Sequence, residues 1–299
     1  MNKCGKIGLG TVQWGMPYGI TNSSGIPSAV VVGELLASAS RAGVRLLDTA
    51  WAYGNAETVL GEQGIADSEF AIVTKTRPIK GLELMPAESV KIVKEAFRVS
   101  LSRLRVDSIY CLLIHHADDL LGPSGDALWA LMQEFKLQGV VEKIGCSLYC
   151  PDQYFRIQDK YQVELVQLPY NIYDQRFVTS GMADHAERFG VEVHVRSAFL
   201  QGVLLKESSE LPVHFDRVRD HHAALWAECK VLGLSPLQAA LGFCLACQAV
   251  DKVIVGCERQ EQWDDIVHAS AATLSIAQVQ SLNRFAIGDD VIMNPSRWK

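Results

Sequence analysis

Six polar side chains stand where short apolar runs of the chain give way to more polar sequence: Asp48, Lys75, His115, Ser147, Gln167 and Ser197. Carboxylate, ammonium, imidazole and hydroxyl groups are the types that move protons and orient polar ligands. A phenol, Tyr53, follows Asp48 by five residues. Each residue alone has a plainer explanation, because Asp and Ser also cap helices and a tyrosine beside a glycine is commonly an ordinary loop residue. Six such positions in successive units of the chain favour one shared polar site.

The apolar runs that carry these residues are short and rich in β-branched residues, which favours buried parallel strands. They cover residues 6–10, 44–48, 70–75, 108–116, 142–147, 163–167, 191–197 and 251–256. The segments between them, such as 28–43 and 87–104, place apolar residues at three- and four-residue spacing and are predicted to be amphipathic helices. Eight alternating units predict an α/β fold of the (β/α)8 TIM-barrel type, in which all the strands end on the face that carries the active site.

Residues 1–299 are expected to form a single domain, because no Pro- or Gly-rich linker divides the chain. The segment 205–216 is predicted to be a long, mobile loop after the seventh strand. Residues 275–299 lie beyond the eighth unit and are expected to pack near the barrel mouth.

The composition is that of an ordinary globular protein, with 48% hydrophobic and 21% charged residues. A net charge of −6 argues against nucleic-acid binding. The N-terminus lacks the features of a signal peptide. The uncharged stretch 231–250 is predicted to hold a buried helix that begins at Ser235-Pro236 and is too short to span a membrane. We therefore expect a cytoplasmic protein without a membrane partner, whose eight cysteines are free thiols.

Several motifs give most of the chain, from about Gly8 to Ile266, a resemblance to the aldo-keto reductase family. The matching segments are GVRLLDTA at 43–50, Tyr53-Gly54, Glu57, VLG at 59–61, VTK at 73–75 and LLIH at 112–115. The resemblance implies an NAD(P)-dependent oxidoreductase that reduces an aldehyde, ketone or sugar carbonyl to the alcohol, or catalyses the reverse reaction.

The resemblance also implies a catalytic tetrad of Asp48, Tyr53, Lys75 and His115, and the chemistry explains these residue types. Hydride addition to a carbonyl carbon requires a proton on the oxygen. A phenol, with an ordinary pKa of about 10, is a proton donor at neutral pH, and a nearby ammonium favours the phenolate and eases proton release. Lys75 is expected to supply that charge, Asp48 to hold Lys75, and His115 to orient the carbonyl oxygen. The alternative for Asp48 and Lys75 is a purely structural buried ion pair.

A nicotinamide cofactor site is implied by the same resemblance, although the chain has no G-x-G-x-x-G fingerprint. Ser147 and Gln167 match positions that bind the nicotinamide carboxamide, and Thr11 matches a ribose contact. The other expected contacts are Arg196, Ser197, Phe199, Gln201 and Gly202 in a pyrophosphate loop at 196–202, and Gly256, Cys257, Arg259, Gln262 and Asp265 in an adenosine segment at 253–266.

Five residues depart from the family pattern: Val12 stands for a tryptophan, His116 for an aromatic, Leu148 for an asparagine, Arg196 for the aromatic that stacks on the nicotinamide, and Gln262 for the basic residue that many members place on the adenosine 2′-phosphate. The Arg196 guanidinium could stack on that ring or reach the pyrophosphate. Trp14 and Trp51 could each still form a wall of the pocket.

The coenzyme preference depends on opposing charges after the eighth strand. A 2′-phosphate requires charge-assisted donors. Arg259 is the only cation in this segment, at the start of a predicted helix whose N-terminus attracts anions, and Gln262 adds a neutral donor. Asp265 could accept from the adenine amino group. We expect Glu258 to turn to solvent, and therefore NADP(H) to be preferred over NAD(H).

Two further features are interpreted as structural. Cys244 and Cys247 form a C-x-x-C inside an apolar helical pattern without a second ligand pair, so we expect buried thiols and no metal site. The pair His221-His222 is expected to be solvated.

Two other functions are compatible with the sequence. One is a nicotinamide-binding regulatory or scaffold subunit with little turnover, a use of this barrel that potassium-channel β subunits illustrate; the intact tetrad favours the enzyme. The other is an NAD-linked sugar or aldose dehydrogenase. The segment 10–25 resembles bacterial members associated with sugar metabolism, which points to a small sugar-like substrate. The sequence carries no signal for an oligomeric state.

Overall fold

Eight parallel strands form the centre of the structure, a computed structural model that describes residues 3–20, 22 and 24–298. The residues outside this description are Met1, Asn2, Thr21, Ser23 and Lys299. Each strand pairs with the next along the chain, and the eighth pairs with the first to close a barrel. The strands are β1 (Ile7–Gly10), β2 (Leu46–Asp48), β3 (Ala71–Lys75), β4 (Ile109–Ile114), β5 (Val141–Ser147), β6 (Leu165–Pro169), β7 (Glu192–Arg196) and β8 (Lys252–Gly256). The predicted (β/α)8 TIM barrel is confirmed.

Helices fill the connections between the strands and bury their apolar stripes against the barrel. They are α1 (Val12–Gly15), α2 (Ala29–Arg41), α3 (Ala56–Glu62), α4 (Pro86–Leu104), α5 (Ala117–Leu121), α6 (Gly125–Leu137), α7 (Pro151–Tyr161), α8 (Arg176–Thr179), α9 (Met182–Phe189), α10 (Arg219–Val231), α11 (Pro236–Ala246), α12 (Gln260–Ser270), α13 (Ile276–Asn283) and α14 (Asp290–Met293). In α2 the buried positions include Val32, Leu35, Leu36 and Ala39, the three- and four-residue spacing read from the sequence.

The uncharged stretch after α10 forms a buried helix, as predicted. Ser235 caps α11 by accepting a hydrogen bond from the backbone N–H of Gln238, with Pro236 in the first turn. No single helix within the described ranges is long and apolar enough to cross a membrane. The segments Val213–Val231 and Pro236–Ala246 pass such a test only as a pair, and they are bent by 86° relative to each other.

The parallel register brings the polar strand ends to one face. Gly10 at the end of β1 lies beside Asp48 on one side and Gly256 on the other. Ser147 lies beside Gln167 across the pairing of β5 with β6. Because carboxyl ends of barrel strands converge, side chains that are distant in sequence share one mouth.

The connection after β7 contains more regular structure than the sequence indicated. Two 3-10 helices, Ser208–Glu210 and Val213–Val218, occupy much of the segment predicted as a long loop. The Arg219 guanidinium donates to the carbonyl oxygens of Ser208 and Leu211, which ties the segment to the start of α10. Its mobility stays a prediction.

The C-terminal segment, including α13 and α14, packs against the connections that follow β6 and β7. The backbone N–H of Ile287 donates to the carbonyl of Tyr173 at 2.8 Å. Arg176 forms an ion pair with Asp290 at 3.2 Å, and the ring of Trp298 meets that of Phe215 edge to face. These contacts tie the end of the described chain to the carboxyl side of the barrel.

The expectation that both residues of the His221-His222 pair are solvated is wrong for His222. Its side chain is buried, Nδ1 lies 2.6 Å from Tyr173 Oη, and Nε2 lies 2.7 Å from the carbonyl oxygen of Lys206. Both ring nitrogens have partners, which makes burial of a polar ring tolerable.

The close approach of β5 to β6 generates a prediction about stability. A Cβ added at Gly145 would lie 1.8 Å from the backbone oxygen of Leu165, which cannot move without breaking the barrel register. Gly145→Ala should therefore lower the free energy of unfolding by more than about 3 kcal/mol, beyond ordinary overpacking. Gly288→Ala is the matched control, because no atom lies within 4 Å of its added Cβ. Equal urea midpoints for the two variants would show that the close approach of Gly145 to Leu165 does not limit the side chain at this position.

Candidate active site

A cavity of about 400 Å³ opens at the carboxyl ends of the strands. Most of the residues expected at the site line it: Thr11, Asp48, Tyr53, His115, Ser147, Arg196, Ser197, Phe199, Gln201, Gly202, Gly256, Gln262 and Asp265. Four expected residues do not reach the lining: Lys75, Gln167, Cys257 and Arg259. The first two lie directly behind Asp48, whereas the last two lie elsewhere for reasons described below.

A buried ion pair joins the ends of β2 and β3. Lys75 Nζ donates to both carboxylate oxygens of Asp48, at 2.8 and 2.9 Å, and to the carbonyl oxygen of Thr49 at 2.9 Å. Asp48 is 4% exposed and Lys75 is 2% exposed. Burial lowers the pKa of Lys75, and the Asp48 carboxylate opposes that shift. The pair is thus fully hydrogen-bonded on the lysine side, as a buried charge requires.

Tyr53 is positioned next to this pair by close contact between its loop and the end of α1. A Cβ at Gly15 would lie 1.9 Å from the Tyr53 carbonyl oxygen, and Gly54 adopts a positive φ of 56°. Only glycine fits both positions without strain. The Lys75 ammonium lies 5.1 Å from the centre of the Tyr53 ring, and the His115 ring meets that ring edge to face at 5.9 Å.

The protonation states of Tyr53 and His115 are set mainly by burial, and for Tyr53 the result differs from the expectation. Burial, together with the Asp48 carboxylate, raises the pKa of Tyr53 well above its usual value. This direction is opposite to the expected net shift towards phenolate, because burial of the phenol outweighs the nearby positive charge. Burial, helped by the positive charge of Lys75, lowers the pKa of His115 to about 3. At neutral pH the site presents a protonated phenol and a neutral imidazole.

Two of the residues that match carboxamide and ribose contacts bind the same aspartate. Gln167 Nε2 donates to Asp48 Oδ1 at 2.6 Å, and Thr11 Oγ1 donates to the Asp48 carbonyl oxygen at 3.0 Å. Gln167 Oε1 is buried without a hydrogen-bond partner among the described residues. An orphaned amide oxygen beside the Ser147 hydroxyl fits a ligand that carries a primary carboxamide, as a nicotinamide does.

Arg196 occupies the position expected for an aromatic. Its guanidinium lies 4.6 Å from the centre of the Tyr149 ring and donates to the Leu148 carbonyl oxygen at 3.1 Å. His116 stacks between His115 and Tyr149, at 5.1 and 6.0 Å between ring centres. Among the described residues that line the cavity, Arg196 is the only Lys or Arg, and its positive charge opposes the rise in the pKa of Tyr53.

The connection after β7 has an unusual backbone. Ser197, Leu200 and Gln201 adopt φ values of 61°, 47° and 53°, and Gly202 follows at 91°. Such conformations are costly for residues with a Cβ and concentrate at functional sites. Left-handed residues next to right-handed ones also turn successive backbone N–H groups towards one concave surface, which suits an anion.

The segment after β8 differs from the expectation that supported NADP(H). Glu258 is 4% exposed and lies in the cavity wall instead of turning to solvent. Arg259 is exposed, and its guanidinium donates to Ser24 Oγ at 3.3 Å. Cys257 is buried in the core, and its carbonyl oxygen accepts from the indole N–H of Trp14. Two half-buried amide donors, Gln13 and Gln262, hold the Glu258 carboxylate in the wall, and neither contact was expected from the sequence.

Several lining residues were missed or misplaced by the sequence analysis. Tyr18 and Tyr149 line the cavity, whereas Trp14 and Trp51 do not. Trp14 is wholly buried, and Trp51 lies on the outer surface against the guanidinium of Arg77. Tyr149 follows Ser147 by two residues, so it could have been found by considering the residues just beyond each strand end. No comparable sequence signal marks Tyr18.

The C-x-x-C forms no metal site in the part of the chain that the structure describes. Cys244 Sγ donates to the Tyr170 carbonyl oxygen at 3.3 Å inside the core, and Cys247 lies at the end of α11. All eight cysteines are free, and no group of His, Cys, Asp and Glu among the described residues could hold a metal ion.

Comparisons with known proteins agree with this architecture. The aldo/keto reductase family model matches residues 6–287, and the chain belongs to that family. An aldo-keto reductase of Mycobacterium tuberculosis is 33% identical over 115 residues, which span 38% of each protein. YqkF of Bacillus subtilis, named an uncharacterized oxidoreductase, is 24% identical over 270 residues, 83% of this chain and 85% of that protein. The holo form of aldo-keto reductase AKR11C1 from Bacillus halodurans shares the fold, with a TM-score of 0.78 at 22% identity over 98% of this chain and 95% of that one.

The buried ion pair yields a prediction about stability. Asp48→Asn removes one charge and leaves the buried Lys75 ammonium uncompensated, which should cost about 3–5 kcal/mol of unfolding free energy. Glu134→Gln is the control, because it breaks the partly exposed pair with Lys94, and exposed pairs contribute about 0–1 kcal/mol. Urea denaturation followed by circular dichroism measures both. A loss in Asp48→Asn no larger than in Glu134→Gln would contradict the account of the pair.

Proposed function

We propose that this protein is a cytoplasmic NAD(P)H-dependent oxidoreductase that reduces the carbonyl of a small aldehyde, ketone or sugar to the alcohol, or catalyses the reverse reaction. The observation that carries the proposal is the placement of the Tyr53 phenol beside the buried Lys75–Asp48 pair and His115 at the mouth of the barrel. A proton donor, a charge behind it and a neutral hydrogen-bond donor are the groups that carbonyl reduction needs from a protein.

Each member of the tetrad has a distinct part in this proposal. The raised pKa of Tyr53 keeps the phenol protonated, so that it can give its proton to the carbonyl oxygen. Lys75 stabilises the phenolate that remains, and Asp48 holds Lys75 in place. A neutral His115 carries one N–H, which we assign to orienting the carbonyl oxygen.

The same cavity suits a nicotinamide dinucleotide. When bound, this cofactor supplies the hydride. Ser147 and the orphaned Gln167 amide oxygen are the proposed partners of the carboxamide, and Thr11 of the adjacent ribose. The strained loop at 196–202 is the proposed cradle for the pyrophosphate, with Arg196 as the nearest cation. Gln262 and Asp265 are assigned to the adenosine end.

The proposed substrate is polar, in keeping with a sugar or a hydroxylated aldehyde. Tyr18, Tyr149 and Arg196 line the cavity and lie close enough to Tyr53 to influence its charge, and each carries a hydrogen-bonding group. Gln201 Nε2 donates to Tyr18 Oη at 3.0 Å, so the loop after β7 reaches the connection that follows β1. A hydrocarbon substrate would displace water from these groups and offer no hydrogen bond to their remaining donors and acceptors, which is unfavourable.

The role of Tyr53 is tested by removing one oxygen atom. Tyr53→Phe should lower kcat by about two orders of magnitude or more, the typical contribution of a general acid. Binding of the nicotinamide should be almost unchanged, as measured by tryptophan fluorescence. Tyr154→Phe is the matched control, because its hydroxyl contacts His185 on the outer helices. Near-normal turnover of a panel of carbonyl compounds by Tyr53→Phe would contradict the mechanism. If the unmodified protein binds the cofactor but reduces none of these compounds, the regulatory subunit becomes the favoured function.

The pH dependence follows from the two shifted groups. His115 has a pKa of about 3 and stays neutral above that pH. The raised pKa of Tyr53 keeps the donor protonated until the pH exceeds its ordinary value of about 10. Accordingly, kcat/KM for reduction should be flat between about pH 5 and pH 9. A limb near pH 6.5 would show that His115 titrates at its ordinary value, provided that circular dichroism shows the fold unchanged over the range.

A further inference from the structure

The cavity wall after β8 contains a carboxylate, Glu258, that is held by neutral donors. Glu258 Oε1 accepts from Gln262 Nε2 at 2.9 Å, and Oε2 accepts from Gln13 Nε2 at 3.2 Å. The Gln262 side chain in turn accepts from the Glu258 backbone N–H at 3.0 Å. In the described ranges no Lys, Arg or His forms an ion pair with Glu258, so two neutral amides hold the carboxylate in place.

The neighbouring cation does not offset this charge inside the cavity. Arg259 precedes α12, is exposed, and donates to Ser24 Oγ rather than facing the lining residues. Asp265, one turn further along α12, adds a second carboxylate to the same wall. The wall formed by the β8–α12 connection is therefore negative, although the α12 N-terminus by itself would attract an anion.

We propose that Glu258 is the residue that sets coenzyme specificity and that it selects NADH over NADPH. The inference rests on the proposed function, which places the adenosine end of the cofactor against the β8–α12 connection. Each Glu258 oxygen still has a lone pair, so the carboxylate can accept a hydrogen bond from the 2′-hydroxyl of the adenosine ribose. A carboxylate performs this task in Rossmann-fold enzymes that use NAD.

The same carboxylate rejects a 2′-phosphate. The phosphate carries about −1.5 to −2 charges at neutral pH, and a carboxylate buried to 4% exposure cannot turn away without abandoning the two amide donors. Like charges in a partly desolvated wall repel strongly, which is an effective way to exclude one of two similar ligands. The expected preference for NADP(H) required Glu258 to face solvent and Arg259 to face the cofactor, and the structure supports neither premise.

The test is a fluorescence titration of both coenzymes into the unmodified protein and its variants. Trp14 and Trp263 lie next to the β8–α12 connection and serve as reporters. NADH should bind at least tenfold more tightly than NADPH, which corresponds to about 1.4 kcal/mol. In Glu258→Gln the ratio should fall towards one, mainly because NADPH binds about tenfold better. Glu261→Gln, an exposed carboxylate in the first turn of α12, should leave the ratio unchanged.

Two further variants test whether Glu258 itself, and neither the neighbouring cation nor a folding defect, sets the ratio of coenzyme affinities. Arg259→Ala should not change the ratio, because this side chain is directed to Ser24. Glu258→Ser keeps a small polar group if Glu258→Gln does not fold, and it should relax the ratio in the same direction. NADPH that binds as tightly as NADH, or a ratio that collapses in Arg259→Ala, would overturn the inference while leaving the proposed reaction intact. Failure to bind either coenzyme would overturn the proposed function, and this inference with it.

Discussion

The Asp48–Lys75 ion pair is the constraint on which the rest of the site depends. Two charges inside a barrel are tolerable only when each is paired and hydrogen-bonded, and Lys75 meets this condition with three donated bonds. Asp48 can hold this geometry because β2 and β3 are neighbours in register and end on the same face. Gln167 and Thr11 bind the same aspartate, so its placement fixes the floor of the cavity.

The pairing also determines the distribution of charge in the cavity. Burial and the Asp48 carboxylate keep the pKa of Tyr53 above its usual value, so Tyr53 remains a protonated acid, and Arg196 supplies positive charge near it. The β8–α12 connection, with Glu258 and Asp265, is negative. An elongated ligand with anionic groups in its middle and a neutral polar end fits this pattern better than one that is anionic throughout. The charge of the β8–α12 connection thus discriminates between ligands at the end of the cavity that is remote from Tyr53.

The fold and the convergence of several polar strand ends at one mouth could be predicted from the sequence because both depend on local patterns. β-branched runs with polar ends define the barrel, and the convergence of strand ends then brings Asp48, Lys75 and His115 together. What could not be predicted depends on tertiary contacts. Glu258 is buried by donors from Gln13 and Gln262, one of which lies 245 residues away. His222 is likewise buried by a partner 49 residues away, which no periodicity reveals.

The central claim is that this cavity transfers a hydride between a nicotinamide and a carbonyl, and isotope transfer tests it most directly. The protein would be incubated with NADH or NADPH that carries deuterium on either face of the nicotinamide C4, together with a panel of aldehydes, ketones and sugars. Mass spectrometry would then locate the label in any alcohol formed. We expect deuterium on the former carbonyl carbon, from one face of the nicotinamide only. Bound nicotinamide with no labelled alcohol across the panel would contradict the claim.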